Sequence, residues 1–299
     1  MQNDSAGVTC PICRKAMVAK TANWSYLCEP CDYWSATLSP VNTIIPQGAG
    51  YDIATDADNP IAHLDGLRNA NYDKCLEQLV AIREPSECRL LEVGCGPGGF
   101  LQRAQRFGFR AVGIEPSEAL MLQARAKGVE VRLGLFPQCL RDDEHFDVIV
   151  FNDVFEHLPD PARVIATCRR HLKPAGLIVI NLPNAHGLFF RLARLGAMCG
   201  VATPWERMWQ KMFYTPHLHY FTPASLEALC VASGLEPMTQ PIWLQSLSTK
   251  GLWSRIRLSQ EASLAYSIAI YVGALVFSIF TPLCESDCML RIFRNTSRN

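Results

Sequence analysis

The chain has 299 residues, 49 % of them hydrophobic and 19 % charged, with 28 lysines and arginines set against 28 aspartates and glutamates. That length carries one large domain or two around an ample core, and the balanced charge excludes a protein that grips nucleic acid by bulk charge. Thirteen cysteines are an odd number, and nine are scattered through apolar segments, which reads as buried thiols in a reducing, cytoplasmic compartment and not as a disulfide framework. No apolar signal segment precedes Cys10, so export is not expected.

The remaining four cysteines stand in two pairs, Cys10-Pro11-Ile12-Cys13 and Cys28-Glu29-Pro30-Cys31, fourteen residues apart. Each pair can place two thiolates on one tight turn, and two such turns close a tetrahedron around Zn2+. Reduced free cysteines or a redox pair are the other readings of these residues. The segment 1–45, with Trp24, Tyr26 and Leu27 as a strand, has little core, so a metal would supply its folding energy. Such a closed four-thiolate site leaves no coordination position for catalysis. From Ser39 to Asn59, proline, glycine and polar residues mark a linker. Leu64, Leu67, Leu76, Leu79 and Val80 predict a helix over Ile61–Ile82, ended by Pro85-Ser86, so 46–88 reads as linker and leading helix. Arg68, Asn71 and Tyr72 on that helix are either solvated or folded over a ligand.

From Arg89 onward, apolar runs alternate with amphipathic stretches, the pattern of an α/β, doubly wound parallel sheet. The expected strands are Arg89–Val93, Ala111–Ile114, Val129–Leu133, Phe146–Phe151 and Leu177–Leu182, with helices at Phe100–Phe107, Ser117–Lys127 and Pro161–His171. Lys173-Pro174-Ala175-Gly176 is expected to turn into the fifth strand. Ligands of such sheets bind beyond the carboxyl ends of the strands. There the sequence places Gly94, Gly96 and Gly98, then Glu115, then Gly134, Leu135 and Phe136, then Asn152, Asp153, Glu156 and His157. An acid about twenty residues after the glycines can bond both hydroxyls of a ribose. Gly94, Gly96 and Gly99 also satisfy G-x-G-x-x-G, so a nicotinamide dinucleotide stays formally open on the glycines alone.

Four segments together narrow the choice: Leu91-Glu92-Val93-Gly94-Cys95-Gly96-Pro97-Gly98, Val112-Gly113-Ile114-Glu115-Pro116-Ser117, Phe146-Asp147-Val148-Ile149-Val150-Phe151-Asn152-Asp153-Val154-Phe155-Glu156-His157-Leu158, and Leu172-Lys173-Pro174-Ala175-Gly176-Leu177. In content and order they resemble the class I S-adenosylmethionine-dependent methyltransferases, in particular the ubiquinone-biosynthesis-like group. The resemblance implies a Rossmann-like, mostly parallel seven-stranded sheet with an antiparallel last strand, and an S-adenosylmethionine-binding core over 89–185. It implies a cofactor-binding set of Glu92, Gly94, Cys95, Gly96, Gly98, Glu115, Pro116, Phe136, Asn152 and Asp153. Glu92 and the glycine loop would hold the methionine end, Glu115 the ribose, and Asn152 would line the pocket near the sulfonium. Many relatives carry an acid after the third strand for the adenine amine. Here Gly134-Leu135-Phe136-Pro137 stands instead, leaving backbone groups and apolar contact with Phe136 for that task.

Methyl transfer to a hydroxyl needs alignment and a base, and histidine is the usual base near neutral pH. The candidates are His157 and, in Thr215-Pro216-His217-Leu218-His219-Tyr220-Phe221-Thr222-Pro223, His217 and His219, ahead of an expected helix Ala224–Ala232. Holding a loop or turn in place is the alternative role for each. Residues 186–235 thus read as the acceptor side, with Phe189, Phe190, Trp205 and Trp209 among arginines as a lid or a surface helix. In 236–299, Met289–Phe293 is the only candidate for the last strand. Residues 262–284 carry no charge and are long enough to span a bilayer, but a single crossing would remove that strand from its sheet. A membrane-associating helical excursion that dips and returns is therefore expected, flanked by Trp243, Lys250, Trp253, Arg255 and Arg257 and peripheral on the inner face of the cell membrane; a buried or oligomer-forming helix pair and a true span are the alternatives. The expected function is methylation of a small or lipid-linked acceptor, a glycan or quinone-type intermediate, at oxygen. An RNA or protein methyltransferase using the zinc ribbon, and a non-catalytic cofactor-binding scaffold, are the alternatives. Nothing in the sequence fixes the oligomeric state.

Overall fold

The computed structural model describes residues 7–39, 62–211, 213, 215–246, 268, 271–272 and 285–296. The central sheet is built from β4 (Arg89–Val93), β5 (Arg110–Glu115), β6 (Glu130–Leu133), β7 (Phe146–Asn152), β8 (Leu172–Pro183), β10 (Leu235–Pro237) and β12 (Cys288–Asn295), in the order β10-β12-β8-β7-β4-β5-β6. β6, β5, β4, β7 and β8 run parallel, and β12 returns antiparallel against β8, with Met289 opposite Leu182 and Phe293 opposite Ile178. The interleaved helices are α1 (Ala62–Val80), α2 (Gly99–Arg106), α3 (Glu118–Ala126), α4 (Pro161–His171) and α7 (Pro223–Ala232).

The parallel strands are buried on both faces, which is why their sequences are continuous apolar runs. Alternation still divides the core. Leu90, Val148, Val150, Leu177 and Val179 face the α1–α2 layer with Leu76, Leu79, Phe100 and Leu101. Leu91, Val93, Ile149, Phe151, Ile178 and Ile180 face the other side with Ile165 of α4 and Leu226 of α7. Side-chain caps fix the helix starts: Ser117 accepts from Leu120 N, Asp160 from Arg163 N, and Thr222 and Ser225 form a capping box.

Two expectations are corrected here. The sheet has eight strands and not seven, because β11 (Ile242–Leu244) pairs with Leu290–Cys288 while β10 pairs with Asn295–Phe293. β12 is eight residues long, enough to carry two three-residue strands end to end on its free edge. The turn at Lys173–Gly176 lies inside β8, a twelve-residue strand, as an irregularity: Ala175 is left-handed at φ 55° and the register against β7 slips between Phe146 and Val148. The apolar excursion 262–284 lies almost wholly outside the described residues. The strands before and after it, β11 and β12, are antiparallel neighbours, so both lie at the same sheet edge. Among the described residues no helix is long and apolar enough to cross a membrane.

A second, four-stranded sheet has the order β1 (Val18–Lys20), β2 (Ala22–Cys28), β3 (Tyr33–Ala36) and β9 (His219–Tyr220). Its last strand comes from the acceptor-side segment, almost two hundred residues later in the chain. α5 (Leu188–Met198) and α6 (Thr203–Met208) cover it, and Trp34, Phe190, Trp205, Trp209 and Tyr220 form one buried aromatic cluster. Trp205 meets Trp34 edge to face at 5.5 Å, and Phe190 and Tyr220 pack at 4.5 Å.

At the far end of the sheet, Glu144 is fully buried and accepts from Arg89 and Arg132, which hold its carboxyl down at about 2. A carboxyl lowered in the folded state stabilises above its unfolded value, and that contribution is lost as pH falls through the folded value. Glu144→Gln should cost roughly 2–3 kcal/mol at pH 7, at the lower end for a buried pair because both arginines reach solvent. In urea denaturation the gap from the wild type should close between about pH 4.5 and 2; a gap independent of pH would show that the charge is immaterial.

Candidate active site

The chain turns sharply as it leaves β4. Gly94, Gly96 and Gly98 all have positive φ, at 69°, 51° and 76°. A Cβ at Gly94 would lie 2.6 Å from Val154 Cγ2, and one at Gly98 2.9 Å from Ala124 Cβ, so both positions are closed to larger residues. Gly96 differs: nothing lies within 4 Å of a Cβ placed there, so it borders open space. Glu115, at the end of β5, ties the loop down. Its Oε2 accepts from Gly96 N at 2.8 Å and its Oε1 from Ser117 N at 2.9 Å. Burial raises its carboxyl above the ordinary value, and these two N–H groups pull it back.

Glu92 is buried within β4. Asn152 Nδ2 donates to its Oε1 at 2.9 Å, and its Oε2 has no partner among the described residues. Desolvation pushes the carboxyl up to about 8. A buried oxygen of this kind calls for a donor, and a cationic ligand amine supplies one. Asp153, left-handed at φ 53°, and Pro116 are exposed at the carboxyl ends of β7 and β5. Glu92, Gly94, Gly96, Gly98, Glu115, Pro116, Asn152 and Asp153 are thus gathered at one end of the sheet. One expected ligand residue points elsewhere. The Cys95 side chain is buried against Gly113, where a Cβ would approach its Sγ to 2.5 Å; it can offer the loop only its backbone. Phe136 is partly buried and packs edge to face on Phe151 at 5.9 Å, against the core. On the leading helix, Asn71 is bonded to the backbone of Gln245 and Tyr72 packs on Phe100, while Arg68 is exposed and near enough to Asp153 to act on its charge.

The three histidines separate by their hydrogen bonds. His219 is spent: Tyr33 Oη lies 2.5 Å from its Nδ1, and its Nε2–H donates to Leu158 O at 2.9 Å. Burial holds it neutral, down at about 4, and no nitrogen is left to take a proton. Its expected catalytic role is replaced by a structural one. His157 donates Nδ1–H to Pro216 O at 2.9 Å, which leaves its Nε2 lone pair bare. His217 Nδ1 lies 2.9 Å from Tyr220 Oη, whose own proton goes to Met208 O at 2.7 Å; His217 must therefore donate, and its Nε2 is bare too. The two rings meet edge to face at 4.8 Å.

Beside them is Glu156, which the sequence placed after the fourth strand without a catalytic or binding role. Its Oε1 lies 4.0 Å from His157 Nε2, its buried Oε2 has no partner among the described residues, and desolvation raises its carboxyl well above the ordinary range. One ligand atom from each of Glu156, His157 and His217 falls within a 4.8 Å span, a donor set able to exchange protons or hold a small cation. The signal in sequence was its place next to His157 after the fourth strand; its burial is a tertiary fact.

A second cluster lies in the ribbon. Sγ atoms of Cys10, Cys13, Cys28 and Cys31 lie within 4.8 Å of one another, and Cys13 and Cys28 are 3.6 Å apart. An edge of about 3.8 Å follows from a tetrahedron with Zn–S bonds near 2.3 Å. Each pair sits on a tight turn, with Arg14 N bonded to Cys10 O and Asp32 N to Glu29 O, and with left-handed Arg14 and Asp32 just after the second cysteine.

A doubly wound sheet closed by an antiparallel strand, with open space against the glycine loop and an unpartnered buried carboxylate behind it, is the frame of the S-adenosylmethionine-dependent methyltransferases. A family model described as a methyltransferase domain matches residues 64–240, and the chain belongs to that family. A ubiquinone biosynthesis O-methyltransferase from Rhodopseudomonas palustris is 27 % identical over 237 residues, covering 74 % of this chain and 85 % of the relative. One from Nitrosococcus oceani is 29 % identical over 185 residues, covering 60 % and 74 %. Among solved structures, an S-adenosylmethionine-dependent methyltransferase from Mesorhizobium loti has a TM-score of 0.51 at 16 % identity, over 77 % of this chain and 100 % of that one, a likeness of fold.

The hydrogen bonds assign protonation states that can be read directly. Burial and the neighbouring His157 hold His217 down at about 3, below the ordinary value of 6.5, so it stays neutral through pH 5. Nitrogen NMR of the side chains should show His157 and His217 as Nδ1–H tautomers and His219 as Nε2–H. A His217 resonance titrating near pH 6.5 would overturn the assignment.

Proposed function

We propose that the chain transfers the methyl group of S-adenosylmethionine to a hydroxyl of a small or lipid-linked acceptor of the quinone-precursor type. The observation that carries this reading is the pair of bare Nε2 atoms on His157 and His217 beside Glu156, at the end of the strand that also supplies Asn152. The relatives named ubiquinone biosynthesis O-methyltransferase support the class of acceptor. Glu92, the open side of Gly96, Glu115, Asn152 and Asp153 would hold the cofactor. When bound, it supplies an electrophilic methyl on a sulfonium and leaves as a neutral thioether. As the acceptor oxygen takes up that methyl, its hydroxyl proton would go to His157 Nε2, whose ring is aimed by the Pro216 carbonyl. His217 Nε2 and the Glu156 carboxyl, which desolvation biases toward its neutral form, flank that nitrogen.

We infer a structural zinc at Cys10, Cys13, Cys28 and Cys31. All four are free thiols, and four sulfurs at near-tetrahedral spacing suit that ion. The ribbon's Tyr33 and Trp34 are buried against the chain's own segments, which supports a small acceptor over a macromolecule gripped by the ribbon. A lipid-linked acceptor has support in the exposed face of α5, where Leu192, Leu195 and Met198 stand beside Arg191 and Arg194, a composition suited to a membrane surface. The free thiols accord with a reducing, cytoplasmic setting.

Three outcomes test these roles. The Glu92 carboxyl, at about 8, is mostly protonated at pH 7 in the free protein. A cation bound beside it favours ionisation, so binding of S-adenosylhomocysteine should release roughly one proton per chain. Calorimetry in buffers of different ionisation enthalpy reads that proton; Glu92→Gln should abolish it, and a wild type without buffer dependence would refute the pairing. Gly96→Val should remove binding of S-adenosylhomocysteine and leave metal content intact. His157→Ala should lower kcat about 10²- to 10⁴-fold with cofactor affinity unchanged, the range for loss of a general base; methyl-label transfer to quinone-precursor phenols is the assay, and unaltered turnover would remove the base from His157.

A further inference from the structure

The ribbon and the site meet through a chain of bonds that runs from the cysteine turns to the reacting nitrogens. Tyr33, two residues past Cys31, bonds its hydroxyl to His219 Nδ1; His219 donates on to Leu158 O, next to His157. Leu218, in the same segment, donates its N–H to Glu156 O at 2.8 Å, and its own carbonyl accepts from Ala36 N of the ribbon at 2.9 Å. β3 and β9 pair directly, Trp34 with Tyr220 and Ser35 with His219. Tyr220 is the residue that fixes the tautomer of His217. His186 adds a tie outside this seam, its Nε2 2.5 Å from Asp32.

Physically, β9 cannot stand alone. A two-residue strand has almost no pairing energy of its own, and it carries or adjoins Pro216, Leu218 and Tyr220, which bond His157, Glu156 and His217. The ribbon edge is its template. Burial of His219 with both nitrogens satisfied fixes the contact in one register, because either nitrogen left unpaired would be costly.

We propose that the cysteine-ligated ribbon is the acceptor-side wall support of the methyl-transfer site: Tyr33 and His219 are positioning residues that hold Phe155–Leu158 and β9 in place, so metal at the four cysteines governs acceptor turnover and not cofactor affinity. This rests on reading His157 and His217 as the proton acceptors. The cofactor loop hangs on β4 and β5 through Ile114 O and Glu115, bonds that do not pass through the ribbon.

The experiment compares wild type, Tyr33→Phe and chelator-stripped protein by amide exchange, metal content and calorimetry with S-adenosylhomocysteine. Tyr33→Phe keeps the ring and the cysteines and loses only the hydroxyl. It should retain one metal ion per chain and unchanged affinity. Exchange at His157, Leu158 and Leu218 should quicken about tenfold, the scale of one lost buried hydrogen bond, while Gly94 and Gly96 keep their rates. The His219 Nδ1 resonance should move to that of a nitrogen with no hydrogen-bond donor. Stripping the metal should quicken the same amides further. If it unfolds the chain, the Tyr33→Phe comparison decides alone. Unchanged exchange at the three amides, or an equal rise throughout β4–β8, overturns the proposal. These readouts need no acceptor, so an unaltered His157→Ala turnover would refute the base and leave the ribbon's positioning result to stand or fall by itself.

Discussion

Coverage of both faces of the parallel sheet is the constraint from which the site follows. With α1, α2 and α3 on one side and α4 and α7 on the other, Val148, Ile149, Val150 and Phe151 are all fully buried. No polar side chain can be solvated along such strands, so functional groups collect where the strands end. Glu92 and Asn152 lie at that limit and satisfy each other in part, and the loop beyond them is glycine where the backbone must turn back.

Three buried glutamates sit at this end of the sheet: Glu92, Glu115 and Glu156. All are raised by desolvation, but they are satisfied to different degrees. Glu115 takes two backbone N–H groups and thereby shapes the loop. Glu92 and Glu156 each keep one buried oxygen without a partner. Unpaired buried oxygens cost stability in the free protein, and fixed charges or donors that arrive with ligands offset the cost. One of the two lies beside the glycine loop, the other beside two imidazole lone pairs that cannot bond each other. The cofactor side and the acceptor side are distinguished by these unmet demands.

The acceptor side has a different mechanical basis. His157 lies on a single helical turn, Phe155–His157, and His217 just ahead of the two-residue β9. Neither has enough local bonding to hold a geometry by itself. The ribbon's third strand and the aromatic cluster around Trp34, Trp205 and Tyr220 supply what is missing. A module short of core thereby gains a core by sharing one.

Much of the central sheet could be read in the sequence, because a strand buried on both faces must be an apolar run and a loop closed to Cβ atoms must be glycine. Arg89–Val93 and Pro161–His171 have the limits their residues imply, and the two cysteine pairs announced their own cluster. Residues that act through distant partners were not legible. His217 and His219 stand two apart in one motif with the same chemistry, and only packing separates them: Tyr33 and Leu158 occupy both nitrogens of one, while Tyr220 occupies a single nitrogen of the other. Cys95 stands within the glycine motif, and its side chain turns into the core. The joining of the ribbon to β9 spans most of the chain and leaves no periodicity to read. Sequence determined which residues could be buried and where the backbone had to turn; tertiary structure decided which polar atoms were left unpaired, because pairing depends on neighbours brought from elsewhere in the chain.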